Sequence, residues 1–166
     1  MEQVVSKHVA GGAVVVAAII GETKILLIKE RTKPTPHYWK LVSETVEPGE
    51  PILNALWGGL REEAGLILNV RRINGQVVEI IDERLKVAKQ LIPSHMVAGH
   101  FPHQRHFWGL LTTDEVVMSL SGQQLTGDIN EEIETMAFDL AELEGVVDLL
   151  PKHRELISRI PQNVFA

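Results

Sequence analysis

The chain has 166 residues, 45% of them hydrophobic and 23% charged, and it carries no cysteine. That is the length of one ordinary domain, able to bury roughly 70% of the surface its unfolded chain exposes, so a single domain over residues 1–166 is expected. The missing thiols exclude disulfides, thiolate metal sites, iron–sulfur clusters and a cysteine nucleophile. The net charge of -6 speaks against wrapping an extended nucleic-acid backbone, which needs a dense basic surface.

The first apolar run is Val9–Ile20. Preceded by Lys7, it has some look of a signal peptide, but it is too short to span a bilayer. It is rich in Val and Ile, and a second strand-like run, Lys24–Ile28, follows the short link Gly21-Glu22-Thr23. Two such runs around a polar link predict a buried hairpin, and with it a cytoplasmic protein that does not engage a membrane. Pro34, Pro36, Pro48 and Pro51 punctuate the next stretch and predict loop. Residues 51–64 carry Ile52, Leu53, Leu56, Leu60 and Ala64 at helical spacing, with Pro51 placed for the first turn and Gly65 for a left-handed stop. Asn74-Gly75 inside the apolar stretch 69–81 predicts a second hairpin. Phe107–Leu111 and Glu131–Phe138 read as strands, and Leu140–Leu143 and Lys152–Ile160 as short helices split near Pro151. The order of strands, helix, strands, helix predicts an α+β fold with a mixed sheet.

The segment from Tyr38 to Leu66, YWKLVSETVEPGEPILNALWGGLREEAGL, carries the chemistry. It resembles the Nudix family, whose signature is G-x5-E-x7-R-E-U-x-E-E-x-G-U with U a bulky aliphatic residue. Trp39 and Leu41 match the lead-in; Glu47-Pro48-Gly49-Glu50 match the approach to the helix; Leu60, Glu62, Glu63, Gly65 and Leu66 match its second half. The box then covers residues 44–66, and the flanking runs extend the likeness over most of the chain. The resemblance implies a Nudix-like α/β/α sandwich with a mixed β-sheet.

In this register the box is degenerate. Glu44 stands where the family has its opening glycine, and Gly58 and Gly59 stand where it has Arg-Glu. The family's helix presents carboxylates at i, i+3 and i+4, which share a helix face and hold Mg²⁺ or Mn²⁺, hard ions that prefer oxygen ligands. Glu62 and Glu63 remain of that set, as residual catalytic and metal-ligating candidates at a weakened site. The arginine that would pair with Glu50 is gone. Two helix-interior glycines are also unfavourable for the helix itself, which points to a close approach of another element, to a bend in the helix, or to decay of an unused site. Glu44 is a candidate replacement carboxylate, with a surface turn as the alternative.

Outside the box, His95, His100, His103 and His106 crowd one stretch with Arg105. They are expected to be loop residues more than zinc or nickel ligands, with His103, Arg105 and His106 as candidates for a ligand's phosphates. Strict alternation would set His103 and His106 on opposite faces. The run Lys29-Glu30-Arg31-Thr32-Lys33 reads as a solvated face, and Trp39 and Trp57 as core. Among the acids of 128–148, Glu131, Glu132 and Glu134 are candidate bases, because some members of the family use a glutamate outside the box.

The resemblance implies a protein that binds a nucleoside-diphosphate-type ligand or a partner, with weak or absent hydrolysis. The alternative is a divergent Mg²⁺-dependent pyrophosphohydrolase acting on a nucleoside diphosphate linked to another group. An isopentenyl-diphosphate isomerase of this fold uses a catalytic cysteine, and the chain has none. Many members of the fold pair as homodimers, and the sequence leaves that open.

Overall fold

The computed structural model describes residues 12–32, 34–99, 102–127 and 131–165. Of the residues singled out above, Lys7, Val9 to Gly11, Lys33, His100 and Asp128 lie outside them.

Strand β1 (Gly12–Ile20) is the axis of the fold. It runs parallel to β8 (His103–Leu111) on one side, from Gly12 opposite His103 to Ile20 opposite Leu111. Its other side is shared. Strand β3 (Val42–Val46) pairs antiparallel with residues 13–17, and β2 (Lys24–Glu30) takes over at Ile20. The sheet then continues from β2 to β10 (Glu132–Asp139) and β9 (Gln124–Thr126), while β6 (Val87–Gln90) and β7 (His95–Val97) pair with β8 at the opposite edge. Strands β4 (Val70–Ile73) and β5 (Gln76–Ile80) form a separate hairpin.

The two faces of β1 feed two cores. Val15, Ala17 and Ile19 pack with Val42, Leu56, Leu60 and Leu110 beneath helix α1 (Ile52–Gly59). Val16, Ala18 and Ile20 pack with Trp39, Phe107 and Leu156 beneath helix α3 (Pro151–Ser158). Burial on both faces is why this strand reads as an unbroken apolar run instead of an alternating one. The layers are helix, mixed sheet, helix, as expected for an α+β sandwich.

The predicted elements recur with several corrections. Helix α1 begins at Ile52, so Pro51 sits just ahead of it. It runs into a wider π-type turn over Leu60–Ala64 that Gly65 ends at φ 69°. The 69–81 hairpin turns on Asn74 (φ 51°) and Gly75 (φ 78°), as that dipeptide permits. The stretch assigned to loop by its prolines contains β3, whose Ser43, Glu44 and Thr45 carry no apolar pattern and are extended because β1 pairs with them. Leu140–Gly145 is a 3-10 turn. Strands β6, β7 and β9 and helix α2 (Asp114–Ser119) were not predicted. The basic run is not uniformly solvated either: Lys29 is buried, lies 4.5 Å above the Trp39 ring and pairs with Asp148 at 2.9 Å. Trp39 is core, whereas Trp57 is only half-buried.

Candidate functional site

The box folds as strand, loop, helix and turn. In β3, Glu44 is in register with Val15 of β1 and Val42 with Ala17. Both therefore face α1, because side chains alternate across a strand. The loop 47–51 brings Glu50 back to the start of the helix. Its carboxylate accepts from the Glu47 N–H at 2.9 Å and from Asn54 Nδ2 at 2.6 Å. Asn54 Oδ1 in turn accepts from the Val77 N–H at 3.2 Å, tying the helix to β5. Glu50 was expected to have lost its partner; Asn54, one turn into the helix, supplies one.

Glu63 sits at the end of the box helix with its carboxylate turned inward, accepting from the Ser43 N–H at 3.3 Å. Burial raises its pKa to about 8, the Lys40 ammonium opposes this, and the nearby charges of Glu44 and Glu131 push it further up. Desolvation and neighbouring negative charge both favour the neutral acid. Glu62 lies 4.0 Å from Arg61. It shares a cavity of about 420 Å³ with Glu44, Glu47, Glu50, Asn54, Trp57 and Arg72. Arg72 stands 4.6 Å above the Trp57 ring, and the Trp57 indole N–H donates to the Leu68 carbonyl at 3.0 Å.

The two glycines are in different surroundings. A Cβ on Gly58 would meet nothing within 4 Å, whereas one on Gly59 would stand 3.1 Å from the Glu44 Cβ and 3.4 Å from Val42 Cγ1. The close approach inferred from the glycine pair is therefore real at one of them, and the approaching residue is Glu44.

The other candidates fall elsewhere. Pairing places Arg105 beside Val14 and His106 beside Val15, so they occupy opposite faces of β8. Phe107, the other neighbour of His106, belongs to the α3 core. Arg105 shares that face, away from the box. It is buried, its Nε has no hydrogen-bond partner, and burial lowers its pKa against the pull of Glu155. His103, two residues before Arg105, falls on that same face. His106 bonds Ser94 Oγ through Nδ1 at 2.7 Å, and burial with His95 close by lowers its pKa. His95 thus lies on β7 and His103 and His106 on β8, more strand than the loop running into a strand that was expected, and the fold does not gather these three with the box. Glu134 pairs with Arg31 at 2.5 Å, and Glu132 lies in β10 opposite Thr126. Of the three acids nominated outside the box, Glu131 is the one whose charge reaches Glu63. Sequence reasoning missed Asn54, Lys40, Ser43 and Arg72. Asn54 alone left a signal, four residues after Glu50 in the helical register.

Among the described residues, no three acidic or histidine side chains converge on one point that could hold a metal ion. The donor chemistry nevertheless suits a hard divalent ion. Carboxylates from β3, the loop and the helix ring one cavity, and the space a Cβ at position 59 would enter is held by Glu44. The residues suit such an ion in kind, but their side chains are not gathered on one point.

A sheet flanked by helices, with a loop–helix–turn carrying carboxylates against its first strand, defines the class of fold. The NUDIX domain family model matches residues 10–160, and the chain belongs to the Nudix family. No curated protein matches it at the sequence level. Solved structures resemble it throughout. A NUDIX hydrolase from Nitrosomonas europaea is 16% identical, with a TM-score of 0.61 over 93% of this chain and 95% of that one. A MutT NUDIX hydrolase from Burkholderia pseudomallei is 18% identical, with a TM-score of 0.61 over 91% and 98%. The NUDIX domain of Shewanella oneidensis NrtR, solved in complex with ADP ribose, is 14% identical, with a TM-score of 0.59 over 90% and 86%. At these identities the likeness is one of fold. No described helix is long and apolar enough to cross a membrane.

Proposed function

We propose that the chain is a single-domain, cytoplasmic Nudix protein that binds a nucleoside-diphosphate-type ligand in the cavity beside the box helix and hydrolyses it weakly or not at all. The observation that carries this is the pair Gly58 and Gly59. Neither offers a guanidinium or a carboxylate, and Glu50, which the missing arginine would have engaged, is bonded to Asn54. The ligand class is supported by the Shewanella neighbour, which was solved with ADP ribose, and by another neighbour of 15% identity described as an ADP compounds hydrolase. Bound in this site, a divalent ion would neutralise a diphosphate and activate water. The residues themselves have narrower tasks. Glu50 and Asn54 fix the loop, Arg72 and Trp57 wall the cavity, and Glu62 and Glu63 present oxygen donors.

The test pairs calorimetric titration of ADP-ribose with a hydrolysis assay across nucleoside diphosphate conjugates in Mg²⁺ and Mn²⁺. Binding with little turnover is the expected outcome. Efficient turnover abolished by Glu63→Gln would establish the second reading, a divergent pyrophosphohydrolase. That reading is favoured by the charge of Glu131, which adds to the rise of the Glu63 pKa.

A further inference from the structure

Arg105 lies within β8, and the strands on either side set its surroundings. His95 of β7 stands directly opposite it, and Val14 of β1 is its partner on the other side. Residues opposite one another in a ladder share a face, so His95, Arg105 and Val14 all point toward α3, and His103 does so two residues along. Arg105 is 7% exposed. A guanidinium has five donors and keeps its charge in proteins, yet the Arg105 Nε is buried with no acceptor among the described residues. Glu155 attracts Arg105 without pairing to it; the ion pair of Glu155, at 4.0 Å, is with Arg159, whose charge repels Arg105. Buried charges in folded proteins are paired, because an unpaired one is costly. The partner this guanidinium lacks is an anion.

We infer that Arg105 anchors a second binding site, on the α3 face of the sheet and separate from the cavity beside the box, that takes a phosphate-type oxyanion. Donors come from three elements: Arg105 and His103 from β8, His95 from β7, and Arg159 from the C-terminal end of α3. A tetrahedral oxyanion accepts from several donors at once, and arginine holds it through two parallel N–H groups, so Nε and one terminal nitrogen are satisfied together. The charge balance is opposite to that of the box cavity, where Glu44, Glu47, Glu50 and Glu62 face Arg72. On the α3 face the one acid acting on Arg105 is exposed and already paired with Arg159. The inference does not depend on the ligand proposed for the box.

The experiment is titration of the full chain with inorganic phosphate at constant ionic strength. It is followed through the Arg105 Nε–H resonance in proton–nitrogen correlation spectra, assigned by its loss in Arg105→Met. The resonance should move saturably with phosphate in the low millimolar range, and not with chloride. Phosphate should also raise Tm, as any ligand of the native state does. Arg105→Lys keeps the charge but not the paired N–H groups, and by the Tm shift it should weaken phosphate binding at least about tenfold. Arg105→Met should lose the Tm shift. Without phosphate it should be at least as stable as wild type, because an apolar chain replaces an unpaired buried charge. No saturable shift in wild type, equal phosphate affinity in Arg105→Lys, or a lower Tm of Arg105→Met without phosphate would overturn the site. So would phosphate binding that survives in Arg105→Met and disappears in Arg72→Gln. ADP-ribose added to the phosphate-saturated protein tells two sources of the group apart. Movement of the Arg105 resonance to a third position assigns the site to the phosphates of a nucleotide, and an unmoved resonance assigns it to the free anion; both keep the site.

Discussion

Replacing Gly58 and Gly59 one at a time by alanine isolates the contact with Glu44. Both lie in α1, and each replacement should gain about 1 kcal/mol of helix propensity. At position 58 nothing within 4 Å opposes the added methyl group. Gly58→Ala should therefore be stabilising, with a rise in Tm of about 2–4 °C for a domain of this length. At position 59 the methyl carbon would lie 3.1 Å from the Glu44 Cβ and 3.4 Å from Val42 Cγ1. Overpacking of that kind typically costs about 1–3 kcal/mol, so the gain is cancelled or reversed and Gly59→Ala is neutral to destabilising by roughly 2 kcal/mol. Urea unfolding of both single variants, of Glu44→Gly and of Glu44→Gly/Gly59→Ala completes a double-mutant cycle. Residues in contact should show a coupling of about 0.5–3 kcal/mol, favourable in the double variant. Equal stabilisation by the two alanines, or no coupling, would refute the close approach.

Two further predictions concern the scaffold. His153 is buried, its Nδ1 accepts from the Leu41 N–H at 3.0 Å, and burial lowers its pKa from 6.5 to about 3. Its contribution to stability is thus complete above pH 6.5 and drains away as pH falls toward 3, on the order of 4 kcal/mol across the window. His153→Gln should flatten the urea midpoint between pH 6 and 4, and an unchanged slope would contradict this. Asn54→Ala removes the 2.6 Å bond to Glu50 and leaves the Val77 N–H without its acceptor. A loss of roughly 2–3 kcal/mol in unfolding free energy is expected, and a change near zero would show that the loop does not depend on that amide.

Local chemistry made part of the fold legible. The apolar run of β1, Asn74-Gly75 and Gly65 each announce a backbone conformation that any context must respect. Strand β3 is different, since its three central residues are polar and it becomes a strand only because β1 is beside it. Strands β7 and β9 are three residues long, too short to show a period. In the site, the register from Glu50 to Gly65 could be counted along the chain, and it placed Gly58 and Gly59. That Glu44 fills the gap at only one of the two glycines is a tertiary fact. Alternation alone sets Arg105 and His106 on opposite faces; which face looks at the box depends on β8 lying parallel to β1.

Glu44 and Gly59 together conserve the number of carboxylates in the box, but the arginine missing at position 58 is not made up. With Arg72 facing Glu44, Glu47, Glu50 and Glu62 across the cavity, the mouth presents a repulsive field to an approaching anion. Such a field acts on encounter rates and is screened over about 8 Å at physiological ionic strength. An anionic ligand should therefore associate slowly with the metal-free protein, and faster as salt is raised, the reverse of the usual steering of nucleotides into a basic cleft.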